Sequence, residues 1–322
     1  MKVGVISNSK ICIPLLLYLS SIKAGVMLYF GRSAQTDISA NEIAGFCSAQ
    51  GIAFYAETDK KELYQWQQMS EPDVLFICGY GHKVDVAELA GVRLGVYNIH
   101  FGKLPQYRGP SPVFWQLKNG EAQIGLTIHQ VTNKLDSGAV IWDKTIDNGD
   151  YYTYSYTNQA FSQMQVEGVA VILQKLSTKQ PLIKREQEEA NARYYKKPQL
   201  ADVIVNWELL TAREIIDLIK ACTAWNNGAS TLINGYELKL LDAEVSPQKA
   251  NGAPGVINIA NNKFSVACIN QQALSINFFN INNTCIPARH AGFYGLKTGQ
   301  KFISKNITAQ PVTIQGSFIN KL

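Results

Sequence analysis

The run "DVLFICGY" (73–80) is apolar at almost every position. A strand with one wet face alternates apolar and polar residues; a continuous apolar run belongs to a strand covered on both faces. Similar short runs occur at "KVGVIS" (2–7), "GVMLYF" (25–30), "AFYAE" (53–57) and "GVYNIH" (95–100). Helical patterns lie between them. "IPLLLYLSSI" is apolar around more than one face, and its Pro14 suits a first helical turn. "SANEIAGFCSAQGI" sets Glu42 three residues after Ser39, the spacing of a capping box. Strands alternating with helices predict an α/β domain with a parallel sheet. Right-handed crossovers then make it Rossmann-like. Ligands of such sheets bind beyond the C-terminal strand ends, here the loops after Ile6, Ile77 and Val96.

The pattern changes in the second half. A polar, charged stretch from Ser177 to Asp202 reads as a helix tail and connector. "NWELLTAREIIDLIKAC" follows as an amphipathic helix, with Leu209, Ile215, Ile216, Leu218 and Ile219 on one side. Short alternating runs come next: "ASTLI", "YELKLLDAEV", "GVINIA", "KFSVACI", "ALSINFF" and "TIQGSF". They are punctuated by turn signals such as Asn234-Gly235 and Pro254-Gly255. The expected organisation is a first domain over 1–180, a linker over 181–202, and a smaller β-rich, OB-like domain over 203–322. Two domains suit a chain of 322 residues.

Composition excludes some classes. The chain is 46% hydrophobic and 17% charged, as globular proteins are. No stretch reaches the ~18 uninterrupted apolar residues of a membrane span. Pro14, Lys23 and "SNSK" break the apolar N-terminal run, which is read as strand, loop and helix rather than a secretion signal. The six cysteines form no CxxC pair and sit mostly in apolar runs. They read as small buried hydrophobes of a reducing, cytoplasmic compartment, with no metal site. The net charge of +5 suits an anionic ligand but is too small and dispersed to argue nucleic acid.

The densest cluster of unusual residues runs from "GVYNIH" through "FGKLPQYRGPSPVFWQLKNG" to "GLTIHQVTNKLDSG". Period two puts Asn98 and His100 on one side of a strand, emerging together at its end. "LPQYRGPSP" holds three prolines and a glycine and reads as a rigid loop. Asp136 sits in a turn beside Gly138. Singly, each has an ordinary structural explanation: a turn aspartate, or a loop Asn or His bonded to backbone. His129 in "TIHQ" is assigned to that explanation. Co-occurrence lifts the other three.

"NIH", "LPQYRG" and "LDSG", in this order, resemble the formyltransferase family that uses formyltetrahydrofolate. That family carries an Asn-x-His, a Leu-Pro-x-Tyr-Arg-Gly loop and a Leu-Asp-x-Gly turn. The resemblance implies that Asn98, His100 and Asp136 are catalytic and that 10-formyltetrahydrofolate is the co-substrate. "PDVLFICGYGHKV" is similar to the family's pterin-holding strand and loop, which implies folate contacts at Gly79, Tyr80, Gly81 and Val84. The "TNKLD" loop adds Leu135. The stretch 205–245 and "APGVI" look like the C-terminal domain of methionyl-tRNA formyltransferases. The chemistry fits the residue types. An amine attacking a formyl carbon creates an oxyanion, which the Asn98 amide and His100 can stabilise. The nitrogen must lose a proton, and His100 or Asp136 is the base. The reaction needs no metal.

The acceptor is read from departures. The tRNA enzymes carry a long basic insertion after the second strand, whereas here "GRSAQTDISANE" (31–42) holds one basic residue, Arg32. Phosphate neutralisation needs several. Gly102 and Lys103 in "HFGKLP" are more similar to family members acting on small amines, although Pro110 sits where some sugar-nucleotide enzymes have an Arg. A small-molecule amine, such as an amino sugar, is therefore the expected acceptor, with Lys10, Lys103 and Arg108 as anion contacts. Initiator tRNA is the less favoured partner. Two further alternatives are a formyltetrahydrofolate hydrolase, whose extra N-terminal regulatory domain is not seen before the first strand, and a binding module with a decayed site. A homodimer is left open.

Overall fold

The computed structural model describes residues 1–32, 38–59 and 61–304. The chain divides into two compact units. The first takes Met1–Val113, Gln123–Asp147 and Tyr156–Lys197; the second takes Phe114–Ala122, Asn148–Ser155 and the chain from Pro198 on.

The first unit is built on a seven-stranded sheet. Its strands are β1 (Lys2–Ser7), β2 (Gly25–Phe30), β3 (Ala53–Ala56), β4 (Val74–Cys78), β5 (Val96–His100), β6 (Gln123–Gln130) and β7 (Val140–Asp147), in spatial order β3-β2-β1-β4-β5-β6-β7. The first five are parallel. β6 runs antiparallel to β5, and β7 antiparallel to β6. The sheet is thus parallel-rich rather than wholly parallel, and β7 is a strand that the sequence pattern does not mark. β7 is mostly exposed or half-buried along its length, so it lacks the apolar run that marks the others.

All five residues of β4 are buried, as a doubly covered strand requires. Leu75 and Ile77 join a cluster with Ile6, Tyr29, Leu63, Trp66 and Val84. α1 (Ile13–Ser21) carries Pro14 in its first turn and buries Leu15, Leu16 and Leu19. α2 (Ile38–Gln50) already includes Ser39, so Ser39 does not cap it; Glu42 instead pairs with Lys10. α3 (Glu62–Ser70) supplies Leu63 and Trp66. α5 (Tyr154–Ser177) buries Phe161, Val169 and Ile172, and Phe161 meets Phe101 edge-on. Its Gln165 donates to the carbonyl of Ile11 at 2.6 Å.

The second unit holds α4 (Pro112–Lys118) from Phe114 on, α6 (Ala212–Cys222) and an antiparallel sheet. The strands are β8 (Ala229–Ile233), β9 (Tyr236–Val245), β10 (Ile257–Ala260), β11 (Lys263–Ala267), β12 (Ala273–Ile281) and β13 (Thr284–Pro287). Their order is β10-β11-β12-β9-β8, with β13 on β12. The Asn234-Gly235 turn closes the β8–β9 hairpin with both residues at positive φ, 50° and 84°. α6 starts later than expected. Thr211 and Glu214 form its capping box, and Leu209 lies before it, largely exposed. β13 falls in "TCIP", too short and proline-ended to signal a strand. Cys285 within it is exposed, unlike the other five cysteines. The expected strand "TIQGSF" lies outside the described residues. No described helix is long and apolar enough to cross a membrane.

Candidate active site

Two neighbouring strands and one turn bring the site together. Asn98 and His100 are alternate residues of β5 and share a side. In the β5–β6 ladder, Asn98 stands opposite His129. Directly opposed residues project to the same face, so His129 joins Asn98 and His100. Asp136 enters from the turn between β6 and β7, with a left-handed φ of 52°.

One carboxylate oxygen is the meeting point. Asp136 Oδ1 lies 3.4 Å from Asn98 Nδ2, 3.6 Å from His100 Nδ1 and 3.7 Å from His129 Nε2. Its other oxygen accepts the Gly109 N–H at 2.9 Å. Gly109 has φ 116°, and a Cβ there would stand 2.0 Å from the Tyr195 carbonyl oxygen. Only glycine lets the backbone come this close to the carboxylate.

The hydrogen bonds fix the tautomers. His100 Nε2 is 2.6 Å from the Tyr107 carbonyl, which only accepts, so Nε2 carries the proton. His129 Nδ1 faces the Gln130 carbonyl at 2.9 Å and is likewise the donor. Its Nε2 then accepts from Asn98 Nδ2 at 3.1 Å. The orientation of the Asn98 amide follows. Its NH2 group faces an imidazole lone pair and a carboxylate, whereas the flipped amide would set its oxygen against both.

The electrostatics agree with this arrangement. Burial pulls the His100 pKa below its usual value, more than Asp136 and the Tyr107 carbonyl raise it. For Asp136, burial acts upward, but His100, His129 and the Gly109 N–H outweigh it and hold the carboxyl well below the usual range. At neutral pH the site is an ionised Asp136 facing a neutral His100, whose Nδ1 lone pair is free to take a proton.

The other expected residues fall in different places. Gly79 turns the chain out of β4 with φ 71°. Gly81 is exposed beside it. Tyr80 is half-buried, and its hydroxyl donates to Glu57 at 2.7 Å. Val84 packs in the core cluster, so its side chain is not offered to a ligand. Leu135 is 47% exposed and lines an open cleft of about 450 Å³ with Lys83, Asn133, Lys134, Arg193 and Tyr194. Arg108 also reaches this cleft, but its guanidinium is bidentate to Glu189 (2.9 and 3.1 Å) and bonded to Gln187. Lys10 is ion-paired with Glu42, and Lys103 lies over the Tyr107 ring. Among the described residues, no group of three His, Cys, Asp or Glu side chains is placed to hold a metal ion.

Two family models match the chain: "Formyl transferase" over residues 32–171 and "Formyl transferase, C-terminal domain" over 199–283. Together they cover more than half of it. The chain belongs to the formyl transferase family. It is 30% identical over 200 residues to a methionyl-tRNA formyltransferase of Thermotoga maritima, a match covering 62% of this chain and 63% of that one. This formyl transferase relative thus aligns with somewhat less than two thirds of the Thermotoga protein. The fold is shared with an N-formyltransferase of Helicobacter canadensis, solved with folinic acid and dTDP-3-aminofucose, at a TM-score of 0.66 and 16% identity, over 86% of this chain and 98% of that one. It is shared also with HypX of Aquifex aeolicus in complex with tetrahydrofolic acid, at a TM-score of 0.65 and 16% identity, over 92% of this chain and 47% of that one.

Proposed function

We propose that this chain transfers a formyl group from 10-formyltetrahydrofolate to the primary amine of a small molecule. The observation that carries the reading is the convergence of Asn98, His100 and Asp136 on one carboxylate oxygen, within 3.4 and 3.6 Å.

The co-substrate supplies an N-formyl carbon whose oxygen gains negative charge as an amine attacks. The cleft beside Leu135 is of a size that small ligands occupy. The Gly79 turn and exposed Gly81 offer backbone groups at the C-terminal end of β4. These features fit a flat heterocycle with a donor–acceptor edge. His100, neutral and with Nδ1 unprotonated, takes the proton that the attacking nitrogen loses. The new N–H then faces Asp136, which holds it as an ion pair; when the oxyanion collapses, the bond from the formyl carbon to N10 of the folate breaks and His100 returns the proton to that nitrogen, releasing tetrahydrofolate and a neutral His100. Asn98 donates to the developing oxyanion. Both of its amide hydrogens are engaged, and the 3.4 Å bond to Asp136 is the weaker one to release. Asp136 keeps His100 oriented and stays ionised.

The Thermotoga relative and the C-terminal family match favour a second reading, with methionyl-tRNA as acceptor. Against it stands the segment 31–42, where Arg32 is the one basic residue.

A screen of amines for consumption of 10-formyltetrahydrofolate tests the proposal. The His100→Ala protein is expected to lose at least about 10²-fold in kcat, the usual contribution of a positioned base. Full activity in that variant would remove His100 from the reaction.

A further inference from the structure

The segment read from the sequence as a connector lies, up to Lys197, within the first unit beside the site. Its backbone pairs with the rest of that unit at two points, Arg185 with Val140 and Tyr194 with Arg108. Tyr195 N–H donates to the Arg108 carbonyl at 2.8 Å, and the Tyr195 ring stacks on Tyr107 at 5.2 Å. Tyr107 is the residue whose carbonyl holds His100.

Gln187 lies between these two points. Its Nε2 donates to the backbone carbonyls of Asp136 at 2.9 Å and Gly138 at 2.8 Å. Its Oε1 accepts from Arg108 Nη2 at 2.9 Å and Nε at 3.2 Å. One amide therefore ties the turn that carries Asp136 to the loop that carries Gly109. The same two segments meet on the other side, where Asp136 accepts the Gly109 N–H. Asp136 gains from such support, because its backbone is left-handed, a conformation that side chains disfavour. Arg108 is buried and held by Glu189 as well, so the anchor at the far end of Gln187 is itself fixed.

We infer that Gln187 is a positioning residue: it sets the Asp136 turn so that the carboxylate stands at His100 and Asn98. Gln187 touches none of the three side chains and acts through the backbone of Asp136. The inference rests on the formyl-transfer reading, and its test is built to separate the two.

Two variants of the full chain remove the donor differently. Gln187→Met keeps volume and adds no charge. Gln187→Glu keeps the acceptor for Arg108 but loses the N–H bonds to both carbonyls. Arg185→Ala, on the same segment but with its side chain in an exposed pair with Asp143, is the control. With the best acceptor from the amine screen, both Gln187 variants are expected to lower kcat at least about tenfold, as small misplacements of catalytic groups do. KM for the folate stays near the parent value, and Arg185→Ala behaves as the parent. The second readout needs no turnover. With 15N-histidine labelling and assignment by His100→Ala and His129→Ala, the His100 and His129 ring signals shift in both Gln187 variants, because the carboxylate facing them has moved. Unchanged ring signals and a kcat within about twofold of the parent in both variants overturn the inference, since a misplaced group costs far more. Full turnover by His100→Ala overturns the functional reading instead, and the ring signals still decide the role of Gln187.

Discussion

A proton taken up by His100 Nδ1 finds Asp136 3.6 Å away, while burial of the ring opposes that uptake until the reaction supplies it. The pH response follows. The folded His100 pKa lies below its unfolded value of about 6.5. The proposed base is therefore unprotonated at neutral pH and stays so as pH falls through 6.5. The acid limb of kcat/KM is expected below about 6.5, and a limb at or above that value counts against His100 as the base. Stability carries the same sign: between the two His100 pKa values the unfolded chain binds more protons, so lowering the pH destabilises the fold. The depressed Asp136 adds to this only at lower pH, beneath the unfolded carboxylate value of about 3.9. Asn98 and His100 were legible because period two is a property of the strand itself. His129 was not. Its place depends on β6 pairing antiparallel with β5 in one register, and sequence does not show which strand lies opposite. The Val84 side chain serves the core, a role that its apolar character beside a glycine-rich loop leaves equally open in the sequence.

Short segments make or break the site as units. The loop from Leu104 to Gly109 meets the Asp136 turn on one side and the Tyr194–Tyr195 backbone on the other. A methyl group at Gly109 would strike the Tyr195 carbonyl in a backbone conformation that already disfavours side chains. Gly109→Ala is expected to cost at least about 2 kcal/mol, a melting drop of roughly 4–8 °C, together with most of the activity. A thermal scan paired with a turnover assay checks this, and an unchanged melting point means the loop can give way. Elements marked by long apolar runs, β1, β2 and β4, were plain in the sequence. β7 was hidden because it is mostly exposed or half-buried. The 181–202 stretch was polar and looked like a tether. Isolated backbone bridges and a single Gln leave no periodic trace, so its attachment became visible only in three dimensions.

At the scale of the whole chain, acceptor choice turns on charge placement. The net charge is +5, with one basic residue over 31–42. A filter-binding titration with initiator tRNA is expected to show only weak association, in the range of roughly 10⁻⁴–10⁻⁶ M that non-specific nucleic-acid contacts give. Tight binding that falls steeply with salt would move the acceptor to tRNA. The architecture was legible as an α/β half followed by a β half because periodicity changes near residue 205. The interleaving was not: residues 114–122 and 148–155 cluster with the later half by contacts between distant positions. The attachment at Gln187 also bears on how the chain can be shortened. A protein trimmed after residue 180, where the long helix has ended, would keep Asn98, His100 and Asp136 and still lose the bonds from Gln187 to the Asp136 turn. On the proposed mechanism a shortened protein has to run past Tyr195, through the stretch that looks most expendable to a protein engineer.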